Sequence, residues 1–278
     1  MKRSSPNFDW QAMGDWRLVL PPSRPSSDHL EYVKRVASAL ARNSPVAVLG
    51  STVEYRDLLS DLGFSRVYIF EKNSDFYRFV SRLSTRDLSE EFVEGDWLTT
   101  LDNYRGCFEL VLSHLTLGNI AYSNREEFYL AVSSSLSDSG VFVDYVLSNE
   151  PGYIKLSEIN RKFLGRPVNI HAANEFSCQA LFCSELVEKM RAVDTRKIYD
   201  ELYRSLDPKL EPLIDLAQYV TPIGGYWYYG RAWEVEAAER SSFFEATSSD
   251  TETSPSPYAN RAMHQILTNN GERHEQHN

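Results

Sequence analysis

The sequence predicts an α/β protein built on a Rossmann-like, doubly wound sheet. Short apolar runs at residues 45–50 and 65–71 end in Gly or Glu and alternate with stretches of helical periodicity. This alternation is typical of parallel strands that are buried on both faces. The chain has 278 residues, 42% of them hydrophobic, which can supply a sizeable core. We expect one such sheet, with a helical cap inserted before a C-terminal antiparallel hairpin.

The first segment, residues 1–27, is rich in Trp, Pro and Ser, which favours an arm lying over the pocket rather than a regular element. In residues 29–43, apolar side chains recur at three- and four-residue spacing, and Ser27 or Asp28 can cap that helix. The N-terminal residues contain no apolar run long enough for a signal peptide or a membrane span. We therefore expect a cytoplasmic protein.

The alternation of strands and helices continues to residue 147. Strand-like runs are separated by helical stretches and occupy residues 45–50, 65–71, 90–97, 107–114 and 140–147. Because parallel strands need crossover helices between them, five parallel strands in one sheet is the economical interpretation.

The second half of the chain departs from this alternation. Residues 150–220 contain three helical stretches and are interpreted as the inserted cap. In residues 221–240 a Gly pair and alternating aromatic residues predict an antiparallel hairpin of the core sheet. Residues 241–278 are dominated by small and polar types, so too little apolar surface is present to offset chain entropy. We expect this tail to be disordered.

Charge and cysteine content limit the classes of partner. The formal net charge of −10 leaves no excess of basic side chains for phosphates, so neither nucleic acid nor a membrane is the expected partner. A small-molecule substrate is expected instead. The three cysteines fit neither a zinc site nor a disulfide framework, and no metal site is predicted. The oligomeric state is left open, a homodimer included.

A candidate ligand-binding loop follows the first strand, at Gly50, Ser51 and Thr52. Glycine lets the backbone approach a ligand closely, and the helix that follows presents free N–H groups. The loop has a single glycine where a pyrophosphate-binding turn has several. A nicotinamide-dependent dehydrogenase is therefore the weakest of the enzyme classes considered.

Carboxylates follow the next two strands. Glu71 closes the second strand, where a carboxylate can accept both hydroxyl groups of a ribose. Asp96 stands beside Trp97 at the end of the third strand, so an acid and an aromatic ring could contact an adenine together. The glycine loop, the carboxylate for the ribose and the carboxylate for the adenine thus follow successive strands in the order that an adenosine site requires.

These motifs resemble those of class I S-adenosylmethionine-dependent methyltransferases. Residues 44–147 carry the resemblance, and GSTVEYRDLL followed by EGDW is similar to a bacterial subgroup whose loop usually reads Gly-(Ala/Ser)-Thr-Pro-Glu-Leu-Arg. The resemblance implies S-adenosylmethionine as the cofactor. It also implies that the loop at Gly50 contacts the methionine part, that Glu71 binds the ribose, and that Asp96 with Trp97 faces the adenine.

The fourth strand departs from that subgroup. A Gly-Asp pair is common where this chain has Ser113 and His114. The resemblance still counts Ser113 among the cofactor contacts, but His114 puts an inherited acid role in doubt. The segment LPPSRPS resembles the subgroup's N-terminal arm, which would place Arg24 near the cofactor's carboxylate or over the pocket. An arginine suits a carboxylate because its planar fork binds both oxygens.

Two residues are predicted to act on the reacting groups. His114 is the candidate base because it ends a strand beside the expected pocket and imidazole titrates near neutral pH. Tyr226 lies in an aromatic run whose rings could stabilise a sulfonium by cation–π attraction.

With residues 28–149 as the cofactor-binding core, we expect a methyltransferase that acts on a metabolic or natural-product small molecule. One alternative is a cyclase or lyase that releases methylthioadenosine from the same cofactor. A second is a catalytically silent module that retains the cofactor site.

Overall fold

The computed structural model describes residues 24–148, 152–190, 192–221, 223–228, 230–251 and 261–270. Within these ranges the strands are β1 Val46–Leu49, β2 Val67–Glu71, β3 Glu91–Glu94, β4 Phe108–His114, β5 Leu136–Leu147, β6 Val193–Asp194, β7 Tyr226–Trp227, β8 Phe244–Thr251 and β9 Ala262–Asn269. The α-helices are α1 Ser27–Ser38, α2 Val53–Asp61, α3 Ser74–Ser81, α4 Trp97–Thr100, α5 Arg125–Ser135, α6 Leu156–Phe163, α7 Ile170–Ser177, α8 Glu185–Met190, α9 Thr195–Ser205, α10 Glu211–Val220 and α11 Trp233–Arg240. Short 3₁₀ turns lie at Leu101–Tyr104, Thr116–Asn119, Tyr122–Asn124 and Pro208–Leu210, and a π turn spans Cys178–Phe182.

The main sheet has the order β3-β2-β1-β4-β5-β9-β8. Strands β1 to β5 pair in parallel, whereas β9 runs antiparallel to both β5 and β8. The prediction of five parallel strands in one sheet is confirmed. In the register, Leu49 lies beside Phe70 on one side and beside Ser113 on the other. The carboxyl ends of the central strands therefore meet at one edge of the sheet.

Helices cover both faces of this sheet. On one face, Val46, Val48 and Leu112 of the strands pack against residues of α1 and α2, such as Val33 and Leu59. On the other face a second apolar cluster joins the strands to α5 and to the turn at Leu101–Tyr104. Successive strand residues alternate between the two clusters because side chains of a strand point to opposite faces in turn. The predicted Rossmann-like, doubly wound architecture is confirmed.

Helices α6 to α10 form an apolar cluster of their own. Its buried members include Ile159, Phe176 and Val187, and α7 and α10 contribute further residues to it. Helix α10 has Pro212 in its first turn. Proline is tolerated there because N–H groups of the first turn have no partner within the helix. Most of this segment lies within residues 150–220, where helices were expected.

In the described residues of 221–240 the expected hairpin is not formed, and the antiparallel pair at the C-terminal end of the sheet is β8–β9 instead. Strand β7 has two residues, which pair antiparallel with β6 rather than with the core sheet. Residues 233–240 form helix α11, which buries Glu236 and Arg240, four positions apart, on one face. The alternating aromatic residues of the sequence favoured a strand, but the segment that follows them has helical spacing.

The disorder expected after residue 240 is also wrong for the described part of that segment. Strands β8 and β9 pair with each other and add to the edge of the sheet next to β5. Most of β8 is exposed, as suits a polar edge strand, and β9 buries His264, Gln265 and Leu267. Partners distant in the sequence offset part of the cost of this burial, because His264 contacts His29 and Oε1 of Gln265 accepts a hydrogen bond from Arg240. Residues 252–260 and 271–278 lie outside the described residues.

At the N-terminus, residues 1–23 of the expected arm lie outside the described residues. The helix that follows is present, but its cap is Ser26 rather than Ser27 or Asp28. The Ser26 side chain accepts a hydrogen bond from the His29 N–H at 3.1 Å, which satisfies one of the unpaired donors of the first turn.

Candidate functional site

The loop after β1 is tied to the ends of β2 and β3 through one carbonyl group. The Phe70 oxygen accepts the Gly50 N–H at 2.8 Å and the Trp97 Nε1–H at 2.8 Å. A carbonyl oxygen has two lone pairs, so both bonds can form at once. The indole of Trp97 is thereby fixed beside the glycine loop.

Gly50 has φ +91°, a conformation that residues with a Cβ rarely adopt. A Cβ built at this position would lie 3.9 Å from Cζ2 of Trp97. The glycine therefore permits the turn and keeps the space beside the indole ring open.

Ser51 and Thr52 complete the loop. Ser51 is buried, and its Oγ makes no hydrogen bond within the described residues. Thr52 precedes α2 without capping it through its side chain. Buried polar groups nearly always have a partner, so the Ser51 hydroxyl is suited to contact a bound molecule.

Glu71 ends β2 and is 8% exposed. Its Oε1 accepts the Asn73 N–H at 2.9 Å. Burial raises the pKa of this carboxyl group, whereas the Asn73 N–H and the Lys72 charge oppose the increase. The nearby Ser51 hydroxyl also lowers this pKa, although it does not reach hydrogen-bond geometry. The carboxylate is held beside the loop, with limited access to solvent.

Asp96 and Trp97 differ in their surroundings. Asp96 is exposed and caps α4, since its Oδ1 accepts the Leu98 N–H at 3.1 Å. Trp97 is half-buried and packs edge-on to Phe128 at a centroid distance of 6.5 Å. The ring is thus fixed in place, whereas one oxygen of the acid is used by the helix.

Arg24 packs against the first turn of helix α2, and its Nε donates a hydrogen bond to Oε1 of Glu54 at 2.5 Å. The Glu54 side chain is 10% exposed. This ion pair anchors the described end of the N-terminal segment next to the loop at residues 50–52.

Ser113 is fully buried, and its Oγ donates to Oδ1 of Asp144 at 2.7 Å. Burial raises the pKa of Asp144 to about 6, and the hydrogen bond from Ser113 limits the increase. The sequence predicted a cofactor contact at Ser113, but its hydroxyl proton is engaged by this carboxylate. Asp144 ends the fifth predicted strand, where it could line the substrate side, but nothing local in the sequence pairs it with Ser113.

His114 stands at the carboxyl end of β4, next to the end of β1. Its ring stacks on that of Tyr145 at a centroid distance of 4.8 Å and an interplanar angle of 8°. Leu115, immediately after it, has φ +57°, which is uncommon for a residue with a Cβ and occurs often at functional sites. The structure therefore places His114 at a sharp turn beside the loop of residues 50–52.

The structure does not bring Tyr226 together with His114. Tyr226 is 46% exposed, and its ring packs edge-on to Tyr228 at 5.5 Å. The Tyr228 N–H donates to the Gly118 oxygen at 2.7 Å, so the aromatic run does reach the turn that follows β4.

Two residues near His114 were missed by sequence reasoning. His29 of α1 and His264 of β9 are both buried, and their rings are 4.7 Å apart. A signal for His29 existed, because it shares the apolar face of α1 with Tyr32 and Val33. None existed for His264, which lies in the segment that was expected to be disordered.

The fold and this strand-end arrangement define a Rossmann-like α/β protein. No protein-family model matches the chain, and no curated protein matches it either. Among the described residues, no helix is long and apolar enough to cross a membrane. Nor do those residues contain a group of three or more His, Cys, Asp or Glu side chains that could hold a metal ion.

Solved structures share the fold at low sequence identity. The N-methyltransferase NodS of Bradyrhizobium japonicum, in complex with S-adenosylhomocysteine, aligns with a TM-score of 0.54 and 9% identity over 93% of this chain and 94% of its own. The glycopeptide N-methyltransferase MtfA, also in complex with S-adenosylhomocysteine, aligns with a TM-score of 0.50 and 13% identity over 88% of this chain and 91% of its own. A Rhodobacter sphaeroides protein proposed to be a Zn-dependent alcohol dehydrogenase aligns with a TM-score of 0.57 and 15% identity over 94% of this chain and 96% of its own.

Proposed function

We propose that this protein is an S-adenosylmethionine-dependent methyltransferase that acts on a small molecule. The observation that carries the proposal is the shared Phe70 carbonyl, which holds the Gly50 loop and the Trp97 indole at the same edge of the sheet where Glu71 ends β2. Ligands of open α/β sheets bind at this edge.

The residues present fit an adenosyl cofactor. Glu71 offers carboxylate oxygens to ribose hydroxyl groups, while Trp97 offers a fixed ring face and Asp96 a carboxylate to the adenine. Gly50 leaves room for close backbone approach, and the buried Ser51 hydroxyl supplies a polar contact. When bound, S-adenosylmethionine supplies a methyl group that is already activated on a sulfonium sulfur.

Similar structures support the same cofactor, since both NodS and MtfA were crystallised with S-adenosylhomocysteine. The motifs at the first three strand ends provide a separate argument, because they were identified from this chain's own residues. Neither argument selects the acceptor.

An enclosed acceptor site is the second part of the proposal. Residues 150–220 are proposed to cap the β4 end of the site, and residues 1–27 to form an arm over the cofactor. Strand β6 of the proposed cap pairs with β7, and the Tyr228–Gly118 hydrogen bond directly after β7 reaches the turn that follows β4. The Arg24–Glu54 ion pair supports the placement of the arm. The net charge of −10 supports an uncharged or cationic small molecule rather than a nucleic acid.

Calorimetric titration of the full chain with S-adenosylmethionine, S-adenosylhomocysteine and NAD tests the proposal. Binding of the first two ligands but not of NAD is the expected result. Chromatography of the same mixtures should show no methylthioadenosine. Its release would replace methyl transfer by cyclase or lyase chemistry, whereas binding of NAD alone would identify a dehydrogenase and refute the cofactor assignment.

A further inference from the structure

A buried carboxylate directly follows the loop at residues 50–52, and one of its two oxygens lacks a described partner. Glu54 lies in the first turn of α2, and its side chain is 10% exposed. Its Oε1 accepts a hydrogen bond from Nε of Arg24 at 2.5 Å. Its Oε2 is shielded from solvent and has no hydrogen-bond partner within the described residues. Burial of a carboxylate oxygen without a donor costs free energy, so a ligand group that donates to it would be bound favourably.

The Glu54 carboxylate is in electrostatic range of the strand ends. Burial, chiefly, raises the pKa of the Tyr55 phenol, and the Glu54 charge is among those that add to the increase. The Tyr55 hydroxyl donates to the carbonyl oxygen of Ser113, which lies beside Leu49 in the register. Glu54 is therefore close to the end of β1, where the Gly50 turn begins.

A second buried polar group lies in the same loop. Ser51 is 2% exposed, and its Oγ makes no hydrogen bond within the described residues. Thr52 does not cap α2 through its side chain, so that side chain satisfies none of the N–H groups that begin the helix. The loop thus combines an acceptor, Oε2 of Glu54, with donors from the Ser51 hydroxyl and the start of α2. Such a combination suits a zwitterion.

Two simpler roles do not account for the burial of Glu54. An acid in the first turn stabilises a helix through its dipole, but an exposed acid does so as well, as Asp75 illustrates at the start of α3. A counter-ion for Arg24 needs one carboxylate oxygen in contact, and Oε1 already provides it. Neither role requires Oε2 to be withdrawn from solvent.

We propose that Glu54 binds the ammonium group at the amino-acid end of S-adenosylmethionine through Oε2, and that Arg24 is a positioning residue that holds Glu54 through Oε1. This inference rests on the proposed function. It differs from the role that the resemblance implied for Arg24, which was to lie near the cofactor's carboxylate. That carboxylate is left to the Ser51 hydroxyl and to the N–H groups that begin α2. The loop therefore selects a cofactor whose amino group is intact.

Calorimetric titration of the full chain with S-adenosylhomocysteine and two analogues, one lacking the amino group and one lacking the carboxylate, tests the inference. In the wild type, removal of the amino group should weaken binding by about 10- to 100-fold, because a charge-assisted hydrogen bond is lost. Glu54→Gln retains an oxygen for Arg24 but not the charge. It should weaken binding of both ligands that keep the amino group by a similar factor and leave the deaminated analogue unchanged.

Asp61→Asn is the matched control. Asp61 ends the same helix and accepts a hydrogen bond from Arg86 at 3.0 Å, so the change also neutralises an ion-paired acid of α2, at its opposite end. All three ligands should bind to this variant as they do to the wild type.

Arg24→Gln separates the two roles of the arginine. A positioning residue acts through Glu54, so this variant should weaken binding of S-adenosylhomocysteine and of the decarboxylated analogue equally. A loss confined to the ligands that carry the carboxylate would place Arg24 on that group and overturn the inference.

A wild type that binds S-adenosylhomocysteine and its deaminated analogue equally would overturn the inference, even if Glu54→Gln failed to fold, and would leave the proposed function standing. Tighter binding of the deaminated analogue to Glu54→Gln than to the wild type would also overturn it, because the cofactor's carboxylate would then lie against Glu54. A wild type that binds neither S-adenosylmethionine nor S-adenosylhomocysteine would refute the proposed function and this inference together.

Discussion

The two halves of the strand edge are built in different ways. On the β1–β3 half, Gly50, Glu71 and Trp97 each stand within a few residues of their own strand and are joined by the Phe70 carbonyl. On the β4–β9 half, His114 is surrounded by residues of α1, α2 and β9 that are far away in the sequence. Local position therefore suffices to predict the first half, whereas the second half requires the packing of helices and of an antiparallel strand.

The largest expected effect is a change in the free energy of unfolding, and it concerns Asp144 on the β4–β9 half. Burial raises the pKa of Asp144 from 3.8 to about 6, so its ionised form is disfavoured in the folded protein. A carboxyl group whose pKa is raised by folding stabilises the folded protein at pH values below the pKa of the unfolded chain, here 3.8. That contribution is lost as the pH rises through the pKa of the folded protein, about 6. Asp144→Asn cannot ionise, and should raise the free energy of unfolding by up to about 3 kcal/mol above that pH.

Urea denaturation at about pH 4 and about pH 8 measures this difference. The gain should be present at the higher pH and largely absent at the lower one. Asp138→Asn, an exposed position on the same strand, should change little at either pH. A gain of equal size at both values would show that ionisation of Asp144 is not its source.

On the β1–β3 half, Glu71→Ala should weaken binding of S-adenosylmethionine by about 10- to 100-fold, because a charge-assisted pair of hydrogen bonds to the ribose is lost. Glu94→Ala is the control, since Glu94 pairs with Glu71 in the register but is exposed. Binding to the wild type should also weaken on acidification, because the raised pKa of Glu71 brings protonation nearer to neutral pH. Calorimetry that shows equal losses for the two variants would remove Glu71 from the site.

The smallest effect separates backbone strain from loss of space for the cofactor. Gly50 and Gly63 have φ of +91° and +78°, so replacement of either by Ala should destabilise the fold by about 1 kcal/mol. A Cβ at Gly63 meets nothing within 4 Å, whereas one at Gly50 reaches Trp97. Only Gly50→Ala should therefore weaken cofactor binding further in a calorimetric titration, and an equal loss in Gly63→Ala would contradict the placement of the loop.

The sequence predicted the parallel strands and crossover helices from periodicity alone. The ends of β1, β2, β4 and β5 fall within one residue of the predicted ends, whereas β3 ends at Glu94, before the predicted end at Trp97. It failed after residue 220. Helix α11 was obscured by the preceding aromatic run, and β9 was obscured by polar residues such as His264 and Gln265. These side chains are buried against His29 and Arg240. The free-energy cost of burying polar groups is therefore partly offset by partners that composition does not reveal.

The sequence alone determined the five parallel strands of the sheet and the candidate contacts that directly follow β1, β2 and β3. A strand end is a local feature, and parallel strands bring their carboxyl ends to the same edge. The tertiary structure alone decided that Ser113 pairs with Asp144 and that His29, Tyr55 and His264 surround His114. Hydrogen bonds between residues remote in sequence depend on which elements pack together, and the order of the elements along the chain does not contain that information.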